Sequence, residues 1–95
     1  MSVAVVTSVS DINPKKERRN IYLRKDGSRT SLSLEVEFWK ALELICRLEE
    51  CDMDGLCRYI VGNYGGKING HLVTDTAAIR KFCIRYFVSI QEAIK

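Results

Sequence analysis

The chain has 95 residues, a formal net charge of +3 and a hydrophobic fraction of 46%. These values are typical of one small globular domain and exclude a largely disordered chain. No apolar run approaches the roughly 20 residues needed to cross a bilayer, and the first residues lack the cationic segment of a signal peptide. We therefore expect a cytoplasmic protein that has no membrane partner.

The charges are unevenly distributed along the chain. Residues 15–29 contain seven basic and two acidic residues, whereas residues 35–54 contain seven acidic and two basic residues. We expect residues 1–20 to form a flexible basic N-terminal tail and residues 21–95 to form the folded domain. A cationic segment suits a phosphate backbone. The other interpretation is a solvated tail whose charges only aid solubility.

A short strand is predicted over Arg29–Leu34. Successive side chains of a strand point to opposite faces, so the face that includes Leu32 and Leu34 can be buried. The opposite face carries one cation and two hydroxyls, from Arg29, Ser31 and Ser33.

This strand needs a partner, because an isolated edge leaves backbone N–H and C=O groups unpaired. One partner is the same strand of a second copy, which would form a ribbon that fits the DNA major groove. The rival is Ile21–Arg24 of the same chain, since Asp26-Gly27 is a strong hairpin signal. A strand has two edges, so both pairings can coexist.

Three amphipathic helices are predicted to follow, over about Val36–Glu50, Met53–Tyr64 and Asp75–Ile94. In the first helix we expect Trp39 at the margin of the apolar stripe. The stripe itself is predicted to contain Phe38, Ala41, Leu42, Ile45 and Leu48. Glycines indicate a loop over Asn63–His71.

Neither a metal site nor an active site is predicted. None of the four cysteines forms a C-x-x-C pair, so zinc-ligand spacing is absent and free thiols are expected. The one histidine, His71, has no nucleophile or orienting carboxylate at a readable spacing. The glycines before Lys67 do not match a phosphate-binding loop. We therefore expect no enzyme activity and no cofactor.

The order strand, helix, turn, helix resembles the ribbon-helix-helix DNA-binding fold. The run Arg29-Thr30-Ser31-Leu32-Ser33-Leu34-Glu35, followed by Glu37-Phe38-Trp39-Lys40-Ala41-Leu42, is similar to a family of short bacterial members with an R-T-S-hydrophobic-x-L-E…F-W-x-A-L signature. The similarity covers about Arg18–Phe87. It implies a mainly α fold with a short β-ribbon, β-α-α plus a C-terminal helix, assembled as an intertwined homodimer.

The resemblance also implies roles for individual residues. The base-facing residues would be Arg29, Ser31 and Ser33, since arginine can contact guanine and serine can contact several bases. The backbone amides that open the second helix would hold a phosphate at Met53, Asp54 and Gly55. The basic segment would add further phosphate contacts from Lys15, Lys16, Arg18, Arg19, Arg24 and Lys25.

These features predict a sequence-specific regulator of transcription, a repressor, whose partners are double-stranded DNA and a second copy of the chain. The alternative is a dimerisation module that binds a protein partner without DNA. The acidic first helix favours this alternative, as do Asp52 and Asp54, which bracket the expected phosphate position and would repel an anion.

Overall fold

The computed structural model describes residues 15–23 and 27–94. Three helices follow an N-terminal hairpin, and a second, shorter hairpin separates the last two helices. The elements in chain order are β1 Lys16–Tyr22, β2 Arg29–Glu35, α1 Val36–Glu49, α2 Met53–Tyr64, β3 Gly66–Ile68, β4 His71–Val73 and α3 Asp75–Ile94. The strand β2 and the three helices agree with the sequence prediction to within one residue.

Local sequence sets the helix ends. At the end of α1, Glu50 adopts a left-handed conformation (φ 54°) and the amide of Cys51 donates to the carbonyl of Cys46 (3.0 Å). Asp52 caps α2 by accepting from the backbone N–H of Gly55 (2.6 Å). Thr74 caps α3 through its hydroxyl, which accepts from the amide three residues later.

The first hairpin pairs β1 with β2 within one chain, in an antiparallel register that joins Lys16 to Glu35 and Tyr22 to Arg29. The intrachain pairing that the sequence left open is therefore present. It differs from the expectation in its position, because residues 16–20, predicted to belong to the flexible tail, form most of β1. Their alternation of exposed and half-buried side chains supports a strand.

The segment Asn63–His71, predicted as a loop, contains β3, the turn and the first residue of β4. Asn69 and Gly70 both have positive φ angles (52° and 81°), as the two central residues of a type I′ turn require. The prediction of a simple loop was therefore wrong, and the Asn-Gly dipeptide was the available signal.

The hydrophobic core lies between the inner face of the first hairpin and the three helices. β2 packs on α1 and α3, while β1 packs mainly on α2. The buried residues are Ile21, Leu32, Leu34, Trp39, Leu42, Ile45, Leu56, Cys57, Ile60, Ala78, Ile79 and Cys83.

The buried stripe of α1 differs from the predicted one mainly at two residues. Trp39, expected at the margin, is fully buried, while Leu48, expected in the core, is 54% exposed. The indole N–H of Trp39 donates to the backbone carbonyl of Glu17 on β1 (2.7 Å). This bond holds the ring under the hairpin.

All four cysteines are free thiols, as expected. Burial raises the pKa of Cys57 to about 12 and the pKa of Cys83 to about 11, so both remain protonated and pack as small apolar side chains. Among the described residues, no helix combines the length and the apolar character needed to cross a membrane.

Candidate nucleic-acid interface

The two faces of the β1–β2 hairpin differ sharply in chemistry. The inner face contributes Ile21, Leu32 and Leu34 to the core. The outer face, which comprises alternate residues of both strands, carries no aliphatic side chain. Its members are Lys16, Arg18, Asn20 and Tyr22 of β1, and Arg29, Ser31, Ser33 and Glu35 of β2.

The predicted base-contacting residues all lie on this outer face. Arg29 and Ser31 are exposed and Ser33 is half-buried. The Arg29 guanidinium rests over the ring of Tyr22 (5.0 Å to the centroid), and its Nε donates to the Tyr22 hydroxyl (2.6 Å). The aromatic ring thus holds a cation in place at the loop end of the hairpin.

Of the predicted phosphate-contacting residues, Lys15, Lys16 and Arg18 are exposed at or beside the outer face. Arg18 stands opposite Ser33 in the strand register. Their charges are therefore available to an anion that approaches the hairpin. Arg24 and Lys25 lie outside the described residues.

Arg19 is placed differently from the prediction. It lies on the inner face, where its guanidinium is ion-paired with Glu17 and Glu43 and sits 4.8 Å from the centroid of the Trp39 ring. Burial opposes its charge, but the hydrogen bonds that it donates to the two carboxylates raise the pKa of Arg19 overall. The residue therefore packs the hairpin onto α1 and does not face the same side as Arg18.

The start of α2, predicted to hold a phosphate through Met53, Asp54 and Gly55, is already occupied by carboxylates. Asp52 accepts from the amide of Gly55, and Oδ1 of Asp54 accepts from the backbone N–H of Tyr22 (3.1 Å). Two negative charges at this helix end oppose an incoming phosphate. The arrangement serves instead to tie the hairpin to α2.

The outer edge of β1 is covered by α2. The backbone N–H of Tyr22 donates to the carboxylate of Asp54, and the backbone carbonyl of Tyr22 accepts from Arg58 (2.9 Å). Tyr22 and Arg29 therefore form a non-hydrogen-bonded pair of the ladder. Such pairs alternate with hydrogen-bonded pairs in antiparallel sheets.

This alternation decides where the other backbone groups point. Ser31 and Ser33 are two and four residues from Arg29, so they also occupy non-hydrogen-bonded positions. Their N–H and C=O groups point away from β1, toward the second edge of β2. The hairpin therefore presents a polar face outward and, to one side, a β2 edge with which no strand of the described residues pairs.

Asn20 is an outer-face residue that the sequence reasoning missed. It is exposed and stands directly opposite Ser31. An asparagine amide can bond two atoms of an adenine edge. The sequence contains an indication of this position, because Asn20 follows Arg18 at the two-residue period of a strand. The charges of residues 15–19 instead favoured the prediction of a tail.

Comparison with known protein families assigns the chain to one of them. The family model described as "Ribbon-helix-helix domain" matches residues 16–87, from the first residue of β1 into α3. The chain belongs to the ribbon-helix-helix domain family. Members of this family are generally DNA-binding regulators of transcription, not enzymes. No curated protein and no solved structure gave a significant match.

One ion pair joins the end of the β1–β2 hairpin opposite the loop to α3. Glu35, the last residue of β2, accepts from Arg80 of α3 (3.0 Å from Nε and 3.3 Å from Nη2). A backbone hydrogen bond at Glu35, and then the bond from Arg80, hold the pKa of Glu35 below its usual value. The ionised carboxylate thus joins β2 to the C-terminal helix.

This ion pair predicts a pH-dependent stability. A lowered pKa in the folded state stabilises the protein above the usual carboxyl pKa, and the contribution is lost as the pH falls through the lowered value. We expect Glu35→Gln to lower the urea midpoint at pH 7, and its difference from the wild type to shrink as the pH falls through the lowered pKa of Glu35. Arg80→Met should reduce the same pH dependence, because the backbone hydrogen bond at Glu35 remains. A difference between the wild type and Glu35→Gln that does not shrink as the pH is lowered would refute this role.

Proposed function

We propose that the protein is a homodimeric, sequence-specific DNA-binding protein that represses transcription by inserting an antiparallel β-ribbon into the major groove. The observation that carries the proposal is the outer face of the hairpin, which presents Lys16, Arg18 and Arg29 beside hydroxyl and amide groups in a chain of the ribbon-helix-helix family. Cations suit phosphates, and hydroxyl, amide and guanidinium groups suit base edges.

The second edge of β2 supports pairing between two copies. Two β2 strands that pair antiparallel across a two-fold axis would satisfy the outward N–H and C=O groups of Ser31 and Ser33. Their polar faces would then form one continuous surface, with every charge present twice. In this arrangement the order of strands is β1–β2 from one protomer, followed by β2–β1 from its partner.

The dimensions of such a sheet suit the major groove. Neighbouring strands are about 4.8 Å apart, so the two β2 strands would lie near the middle of a groove about 12 Å wide. The two β1 strands would be about 14 Å apart, over the phosphates that border the groove. This assigns base contacts to Arg29, Ser31 and Ser33, and phosphate contacts to Lys16 and Arg18.

The proposal predicts a specific change in salt dependence. Each phosphate contact adds about 0.9 to the slope of log K against log salt concentration. Lys16→Ala combined with Arg18→Ala removes four contacts from a dimer, so the slope should fall by about 3 to 4. The measurement is a titration of a fluorescent duplex with the parent and the variant at 50 and 200 mM salt.

The matched control is Arg47→Ala combined with Lys67→Ala. It removes two exposed cations that lie outside the β1–β2 hairpin, on α1 and β3. It should leave the slope nearly unchanged. Equal effects of the two double variants would mean that net charge, not the ribbon, attracts DNA. Light scattering supplies the second test, since a stable monomer would refute the shared ribbon.

A second candidate function is a dimeric module that binds a protein partner. The observation that favours it is the start of α2, where Asp52 accepts from the amide of Gly55 and the nearby Asp54 adds a second negative charge that opposes a phosphate. This candidate predicts that neither genomic fragments nor random duplexes bind the protein at low salt. The titration above therefore separates the two candidates.

A further inference from the structure

A cleft with an accessible volume of about 430 Å³ opens between the C-terminal end of α1 and the facing sides of α2 and α3. This volume is within the range of small-molecule sites, about 300–1,000 Å³. Two buried core residues, Ile45 and Leu56, line it. The cleft lies at the opposite end of α1 from β2, about 20 Å along the helix axis at 1.5 Å per residue. It is therefore separate from the polar face of the hairpin.

Three aromatic rings line the cleft. The centroids of Tyr59 and Phe82 are 6.2 Å apart with an interplanar angle of 76°, and those of Phe82 and Tyr86 are 6.0 Å apart with an angle of 34°. The rings therefore present π surfaces in different directions around one space. The face of an aromatic ring carries partial negative charge and attracts cations within about 6 Å.

The charge of the residues that line the cleft also favours a cation. Among the described residues that line the cleft, Glu49 is the one carboxylate and none is basic. The Tyr86 hydroxyl donates to Oε2 of Glu49 (2.5 Å). This bond, together with burial, raises the pKa of Tyr86 to about 12, so the phenol remains a donor that holds the carboxylate at the cleft.

The position on α1 adds to the negative field. Glu49 is the last residue of α1, where the helix dipole places partial negative charge. Arg85 lines a neighbouring depression, which shares Phe82 and Tyr86 with the cleft. The Glu49 carboxylate would repel an anion, whereas it would attract a cation.

We propose that this cleft binds a small organic cation of the quaternary or alkyl ammonium class. The alkyl groups would contact the rings of Tyr59, Phe82 and Tyr86, while the positive charge would lie beside Glu49. The geometry resembles the general way in which proteins bind quaternary ammonium groups, by aromatic faces with a nearby acidic group. The site is independent of the proposed DNA contacts.

The test compares choline with 3,3-dimethyl-1-butanol, a neutral molecule of the same shape, in titrations of the ¹⁵N-labelled full chain followed by NMR. We expect choline to shift the amide signals of residues 51–59 and 82–86. The neutral molecule should bind about tenfold more weakly, a difference of about 1.4 kcal/mol. Equal binding of the two probes, shifts centred elsewhere, or no shifts at millimolar choline would each overturn the proposal.

Variants locate the interaction. Glu49→Gln keeps an acceptor for Tyr86 but removes the charge, and Tyr59→Leu removes one ring; each should weaken choline binding about fivefold to tenfold. Both residues are exposed, so the fold should be retained. Tyr59→Phe should bind as the parent does. Glu37→Gln, at the opposite end of α1, is the charge-matched control. If Glu49→Gln weakens binding no more than this control, the carboxylate has no role and the proposal fails.

Discussion

Trp39→Ala is expected to lower the free energy of unfolding by about 3–5 kcal/mol, the usual cost of removing a large buried aromatic ring. Trp39 is fully buried and joins α1 to β1 through its bond to the Glu17 carbonyl. It also supports the guanidinium of Arg19. Since small domains have a stability of about 5–15 kcal/mol, this one change should remove a large share of the free energy of unfolding.

The measurement is urea unfolding followed by far-ultraviolet circular dichroism, because Trp39 is the single tryptophan and its loss removes the fluorescence signal. Trp39→Phe keeps most of the ring but not the N–H donor, and should cost about 1–3 kcal/mol. Leu72→Ala, at a residue that is 73% exposed, should change stability little. If Trp39→Ala were as stable as Leu72→Ala, the Trp39 ring would not stabilise the packing of the β1–β2 hairpin on α1.

Arg29→Ala is expected to abolish most of the sequence preference of DNA binding. A bidentate contact to guanine discriminates by about 1–3 kcal/mol, and a dimer would lose two such contacts, about 2–6 kcal/mol. Affinity for a selected duplex should therefore fall at least about 30-fold. Affinity for a random duplex should fall much less, because the phosphate contacts of Lys16 and Arg18 remain.

Tyr22→Phe is the matched control for Arg29. It removes the hydroxyl that accepts from Arg29 Nε but retains the ring beneath the guanidinium, so it should leave the preference largely intact. The measurement is the ratio of dissociation constants for the selected and the random duplex at one salt concentration. An unchanged ratio in Arg29→Ala would exclude this residue as the main base reader.

Much of the fold was predictable from local patterns. The period of apolar residues located all three helices, and the last two begin after Asp52 and Thr74, which are residue types that favour helix N-caps. The alternation in β2 correctly separated the buried Leu32 and Leu34 from the polar outer residues. These features depend on residues that are close together in the sequence, so the pattern of residue types is enough to predict them.

The features that the sequence did not predict depend on contacts between distant segments. The charges of residues 16–20 suggested a solvated tail, and only pairing with β2 makes them a strand. Arg19 turns inward because Glu43 of α1 lies beneath it. Trp39 is drawn into the core by the Glu17 carbonyl, 22 residues earlier. The two carboxylates at the start of α2 are evident in the sequence, but the hydrogen bond from the backbone N–H of Tyr22 to Asp54 is not.

The most direct test of a DNA-reading ribbon is protection of a selected duplex against dimethyl sulfate, which methylates guanine N7 in the major groove and adenine N3 in the minor groove. The proposed function predicts protection of guanine N7 at two positions related by a two-fold axis, with adenine N3 still reactive. Arg29→Ala should lose the guanine protection. Protection confined to adenine N3, or no protection at saturating protein, would contradict insertion of the ribbon into the major groove.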